Sequence, residues 1–109
     1  MIEVERQAGA IIVKFTDSQL QMYLIPQLKA AVQKLVDEKP ARIIFDFEAV
    51  DHLDSSAMGA IFHFQRKVRE YQGRISLIHV SNKIMQIFKI TKSDGHLEVF
   101  ETLERALKA

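Results

Sequence analysis

The first fifteen residues show the pattern of two β-strands. Apolar and acidic side chains alternate over residues 2–5, Gly9 interrupts the pattern, and residues 10–15 form a second run rich in apolar residues. A period of two places every second side chain on one face of a sheet. The pattern therefore predicts a hairpin or a pair of neighbouring strands at the start of the chain.

Apolar residues recur at helical spacing in four later segments. Pro26 suits the first turn of the first helix, because its missing N–H has no intrahelical partner there, although Ser18 with Gln21 could form a capping box that starts this helix earlier. Gly73 is expected to stop the second helix, and Ser81 to cap the third. The predicted helices are Pro26 to Asp37, Ser56 to Gln72, the segment from Ser81 to about Ile90, and Thr102 to Leu107.

Short apolar runs of strand length separate these helices. Residues 42–47, 75–80 and 97–100 have the composition of strands, and the first two are typical of strands covered on both faces. Strands that alternate with helices through short connections imply crossover units and a largely parallel sheet. We therefore expect an α/β fold in a single domain over residues 1–109. It should have a mixed, mostly parallel sheet of about five strands, about four helices, the order β-β-α-β-α-β-α-β-α, and loops at Ser18 to Tyr23, Glu48 to Leu53 and Thr91 to Gly95.

Composition excludes several classes of function. The 109 residues are 48% hydrophobic, and 15 basic residues nearly balance 14 acidic ones, so no overall field attracts nucleic acid or an anionic membrane. The absence of cysteine excludes disulfides and thiolate chemistry, and is compatible with a reducing cytoplasm. We expect a soluble cytoplasmic protein with no signal peptide, no membrane insertion and no nucleic-acid partner.

The segment Asp54-Ser55-Ser56 concentrates polar residues at a predicted helix start. In one interpretation Ser55 or Asp54 only caps the helix, accepting a hydrogen bond from an unpaired backbone N–H for about 1 kcal/mol. In the other, the helix start also favours an anion, so a phosphate on Ser55 would fit there and add about −1.5 to −2 charges beside Asp54. Met58 and Phe62 lie beside the buried stripe of this helix, and are candidates for a partner-facing patch or for the core.

Two runs resemble the signature of STAS domains, Ile43-Ile44-Phe45-Asp46-Phe47 and Leu53-Asp54-Ser55-Ser56-Ala57-Met58-Gly59, and the similarity extends over nearly the whole chain. In the bacterial anti-sigma-factor antagonists of that family, the serine at the position of Ser55 is phosphorylated by a partner that is both anti-sigma factor and serine kinase, of the histidine-kinase-like ATPase class. The resemblance implies that the unphosphorylated protein binds this partner and thereby releases a sigma factor. Phosphorylation breaks the complex, and a PP2C-type phosphatase restores it. The resemblance also implies a non-enzymatic protein without a cofactor, in which Asp54 orients the helix start and contacts the kinase, and Ser56 supplies a neighbouring hydroxyl or cap.

Two residues depart from the pattern of these antagonists. Ala57 replaces the first glycine of the motif, and its methyl group is expected to narrow the approach of a kinase to Ser55. Gln21 replaces an acidic residue in a loop that should lie near the phosphoserine and contact the partner. The alternative keeps the fold and makes the protein a STAS scaffold subunit of a signalling assembly or a membrane transport complex, with the serine acting only as a cap.

Other functional classes have little support in the sequence. Residues 52–55 include a serine, a histidine and an aspartate, but residues so close in sequence rarely converge into a catalytic triad, and no glycine-rich nucleotide motif is present. The four histidines show no paired metal spacing, so we predict no metal site. Arg66, Lys67 and Arg69 form a basic cluster that is more typical of a solvated face than of a docking site.

Overall fold

The fold is built around a five-stranded sheet, beside a separate two-stranded pair. The computed structural model describes residues 1–91 and 97–109. In chain order the elements are β1 (Ile2–Gln7), β2 (Ala10–Phe15), β3 (Gln19–Leu20), a 3-10 turn (Met22–Leu24), α1 (Ile25–Val36), β4 (Arg42–Asp46), β5 (His52–Leu53), α2 (Ser55–Arg69), β6 (Arg74–Ile78), α3 (Asn82–Ile90), β7 (Glu98–Phe100) and α4 (Leu103–Lys108).

The predicted hairpin at the start of the chain is confirmed. Strands β1 and β2 pair antiparallel, with Gln7 opposite Ala10. Ala8 and Gly9 between them have φ angles of 51° and 77°. Positive φ at both central residues is the requirement of a two-residue type I′ turn, whose twist matches that of the strands it joins.

The rest of the main sheet is parallel, as the alternation of strands and helices predicted. Strands β2, β4, β6 and β7 run in the same direction and pair in that order. Helices α1, α2 and α3 pack on one face, where their apolar stripes form one core with alternate residues of the strands. The short α4 packs on the other face through Ala106, against Ala10, Ile12, Ile44 and Ile78. Both faces of the central strands are therefore covered, which explains their nearly continuous apolar runs.

The predicted helix ends differ from the observed ones most clearly at the end of α2. This helix ends at Arg69 instead of Gln72. Gln72 adopts a φ of 64°, so the left-handed position lies one residue before the expected glycine. Gly73 is buried, and its N–H donates to the carbonyl of Val68 at 2.9 Å. Glycine is needed at position 73 because of close packing, since Gly73 itself does not adopt a left-handed conformation.

Two of the predicted loops contain strands. Residues 18–23 include β3 and the first two residues of the 3-10 turn, and residues 48–53 include β5. Helix α1 begins at Ile25, so the alternative of an earlier start through a capping box at Ser18 and Gln21 is wrong. The third predicted loop lies outside the described residues except for Thr91. Among the described helices, none is long and apolar enough to cross a membrane.

Candidate functional site

A short pair of parallel strands connects two distant segments at the start of α2. Strands β3 and β5 pair with Gln19 opposite His52 and Leu20 opposite Leu53, and both leucines are buried. The N–H of Asp54 continues this ladder by donating to the carbonyl of Leu20 at 3.1 Å. The residues that follow β3 are thereby placed directly beside the first turn of α2.

The carboxylate of Asp54 caps α2. Its Oδ1 accepts from the N–H of Ala57 at 3.0 Å, and the backbone at Asp54 is extended, as at most helix caps. Its Oδ2 accepts from the N–H of Met22 at 2.9 Å. Of the two capping residues that the sequence left open, Asp54 is therefore the cap, and Ser55 is the first residue of the helix.

Asp54 is an acidic group that its surroundings keep ionised. Partial burial raises the pKa of Asp54, but hydrogen bonds from the N–H groups of Ala57 and Met22 and from Ser56 outweigh burial and hold this pKa below its ordinary value. A fixed negative charge beside the positive end of the helix dipole is also favourable. The helix start therefore has a charged carboxylate and an adjacent serine hydroxyl.

The four residues that follow Asp54 differ in exposure. Ser55 is exposed and Ser56 is partly buried, whereas Ala57 is 1% exposed and Met58 is 7% exposed. The burial of Ala57 corrects one expectation from the sequence, and the burial of Met58 favours the core over the partner-facing patch. The methyl group of Ala57 packs into the core and does not narrow the approach to Ser55. Met58 also belongs to the core, because it lies on the same face of α2 as the buried Ile61 and Gln65, one and two turns further along the helix.

The family model for the STAS domain matches residues 1–106 of this chain. The chain belongs to the STAS domain family. This confirms the resemblance drawn from the sequence. A match over almost the full length of the chain includes the main sheet, the β3–β5 pair and the start of α2, so the site described above lies within this STAS domain.

Known proteins resemble this STAS domain in sequence and in fold. The anti-sigma-B factor antagonist of Listeria monocytogenes is 21% identical over 98 residues, which cover 90% of this chain and 86% of that protein. The structure of an anti-sigma factor antagonist from Mycobacterium paratuberculosis gives a TM-score of 0.87 at 21% identity, covering 99% of this chain and 91% of that chain. The Bacillus cell fate determinant SpoIIAA in its phosphorylated form gives a TM-score of 0.73 at 19% identity, covering 99% and 97%. The two structures show a shared fold.

The sequence did not reveal an exposed apolar pair beside the helix start of this STAS domain. Met22 is 70% exposed and Tyr23 is 73% exposed, in the turn whose backbone is bound by Asp54. Large apolar side chains that are exposed together often mark interaction sites. Of the other predicted partner contacts, Gln21 is partly buried and its amide donates to the side chain of Gln19. Phe62 is partly buried and packs against the core.

Among the described residues of the STAS domain, two acidic side chains and one histidine lie close enough together to hold a metal ion. They are Asp46, Glu48 and His79, at the ends of β4 and β6. The group includes none of the residues at the start of α2. The spacing of the histidines alone could not predict it, because its carboxylates come from another part of the chain.

Proposed function

We propose that this STAS domain is an anti-sigma-factor antagonist whose binding is switched off by phosphorylation of Ser55. The proposal rests on one observation, which is that Asp54 and Ser55 have different roles at the start of α2. Asp54 caps the helix through its bond to the N–H of Ala57, which leaves the exposed Ser55 without a capping role. A kinase can therefore modify Ser55 without removing the cap that stabilises α2.

The expected effect of the phosphate is electrostatic. A phosphoserine carries about −1.5 to −2 charges near neutral pH, and here it would lie next to the ionised carboxylate of Asp54. The same helix start is adjacent to the exposed Met22 and Tyr23. A partner that covers this surface in the unphosphorylated state would have to desolvate two neighbouring anions in the phosphorylated state. Loss of binding then requires no refolding of the domain.

The partner in this proposal is an anti-sigma factor that is also a serine kinase of the histidine-kinase-like ATPase class. The unphosphorylated domain binds it and releases a sigma factor, and a PP2C-type phosphatase restores the unphosphorylated form. In this cycle the domain is a ligand and a substrate, so its own residues supply no catalytic group. The names of the Listeria and Mycobacterium relatives and the phosphorylated form of the Bacillus protein support this role.

Phosphate transfer is tested by intact-mass measurement after incubation with ATP and candidate kinases of this class from the same genome. We expect one added phosphoryl group on the wild type and on Ser56→Ala, and none on Ser55→Ala. Ser56→Ala is the matched control because it removes the neighbouring hydroxyl and keeps Ser55. Phosphorylation of Ser55→Ala would move the site, and an unmodified wild type would favour the scaffold function.

Binding is tested separately with purified domain and the same kinases. Ser55→Asp should weaken the complex by about tenfold or more, which corresponds to about 1.4 kcal/mol. Ser55→Ala should bind like the wild type, and all three proteins should have the same far-UV circular dichroism. Equal affinity of Ser55→Asp and wild type would contradict the electrostatic switch.

A further inference from the structure

Three side chains that can bind metals meet where β4 and β6 leave the sheet. His79 Nδ1 lies 2.9 Å from Asp46 Oδ1 and 3.7 Å from Glu48 Oε2, and one ligand atom from each residue lies within 4.8 Å of the others. Strands β4 and β6 are parallel neighbours with Asp46 opposite Ile78. The residues that follow the two strands are therefore brought to the same edge of the sheet.

The two separations measured from the histidine ring are close to those of neighbouring ligands around one ion. Metal–ligand bonds of about 2.1 Å place neighbouring ligands about 3.0 Å apart at right angles and about 3.4 Å apart at tetrahedral angles. The two separations measured from His79 Nδ1, 2.9 Å and 3.7 Å, lie on either side of these values. An ion can therefore be bound with small side-chain adjustments and without movement of the strands.

The surrounding structure orients the three ligands. Asp46 is 8% exposed, and its Oδ1 also accepts from the N–H of Glu48 at 2.9 Å. Lys14 Nζ lies 3.6 Å from Glu48 Oε1, so the lysine faces one oxygen of Glu48 while the other faces His79. His79 has a φ of 56°, in the left-handed region, and its ring contacts both carboxylates at the end of β4.

The donor set indicates the class of ion. Two carboxylate oxygens and one imidazole nitrogen favour a first-row transition-metal ion, since Mg²⁺ and Ca²⁺ prefer ligand sets made of oxygen alone. Two ionised carboxylates would neutralise the charge of a divalent ion, and water would complete its coordination. The nearby ammonium group of Lys14 opposes binding, so we expect moderate affinity.

We propose that Asp46, Glu48 and His79 form a binding site for a divalent first-row transition-metal ion such as Zn²⁺ or Mn²⁺. On binding, Nδ1 of His79 becomes a metal ligand, and the ring proton is carried on Nε2. The site includes neither Asp54 nor Ser55, so it is independent of the proposed phosphorylation switch.

The test is calorimetric titration of the tag-free protein with Zn²⁺. We expect a saturable isotherm with one site per chain, and a loss of affinity of about tenfold or more in His79→Asn. Asparagine is chosen because it tolerates the left-handed backbone of His79. Glu48→Gln should also weaken binding, and this exposed position makes a folding defect unexpected. His52→Asn is the matched control, since it removes an exposed histidine outside the group and should leave the affinity unchanged.

Nuclear magnetic resonance locates the ion independently. Substoichiometric Mn²⁺ should broaden the amide signals of residues 46–48 and 79 before all others. Broadening centred on another part of the chain would overturn the proposal, as would non-saturable titration or equal affinity of the wild type and both ligand variants. A loss of affinity in His52→Asn as large as that in His79→Asn would also overturn it.

Discussion

The carboxylate of Asp54 accepts a hydrogen bond from the backbone N–H of Met22 at 2.9 Å, across a separation of 32 residues in sequence. The same carboxylate caps α2 through the N–H of Ala57. One side chain therefore fixes both the helix start that presents Ser55 and the turn that exposes Met22 and Tyr23. Because these two surfaces share one anchor, a partner can contact both at once.

Removal of this anchor should destabilise the domain. Asp54→Ala loses the cap of α2 and leaves the N–H groups of Ala57 and Met22 without their present acceptor, and we expect a decrease of about 1–2 kcal/mol in the free energy of unfolding. Urea denaturation measures this change. Asp51→Ala is the matched control, because Asp51 makes an exposed ion pair with Lys83 at 3.3 Å, worth less than about 1 kcal/mol. An equal effect of both substitutions would show that Asp54 is not an anchor.

The exposed apolar pair should contribute to partner binding and little to folding. Tyr23→Ser removes a ring that is 73% exposed, so the melting temperature should change little while affinity for the anti-sigma partner falls. Ile90→Ser is the matched control, since Ile90 is 78% exposed at the end of α3. Calorimetric titration of both variants with the partner checks the prediction. Equal losses of affinity would indicate nonspecific apolar contact.

The main sheet and its helices were predictable because their apolar patterns are long enough to identify. The apolar runs at residues 42–47 and 75–80 predicted the central strands. Ser81 was correctly identified as a helix cap, since its hydroxyl oxygen accepts from the N–H of Ile84 at 3.1 Å. Strands β3 and β5 have two residues each, too few to show a period. Their pairing is a contact between distant segments, as is the meeting of His79 with Asp46. Single-sequence patterns contain little information about such contacts.

Gly73 provides a test of packing at the end of α2. A Cβ atom there would lie 2.7 Å from both Val68 Cγ1 and Tyr71 Cε1, and 3.2 Å from the carbonyl oxygen of Pro40. Gly73→Ala should therefore lower the free energy of unfolding by about 1–3 kcal/mol. Gly59→Ala is the control, and it should raise the free energy of unfolding. A Cβ atom at position 59 would meet nothing within 4 Å, and alanine is more favourable than glycine in a helix interior by about 1 kcal/mol. Destabilisation by both substitutions would contradict the packing argument.

His63 should make the stability of the domain depend on pH in the weakly acidic range. Burial lowers the pKa of His63, and the positive charges of Lys29, Lys67 and Arg66 lower it further. The unfolded chain, in which a histidine has a pKa of about 6.5, therefore binds more protons at this residue than the folded domain does. The free energy of unfolding should accordingly decrease as the pH falls below about 6.5. Urea denaturation of wild type and His63→Gln at neutral and mildly acidic pH measures the effect, and the wild type should lose more stability on acidification. An equal loss in the two proteins would show that His63 is not the group responsible.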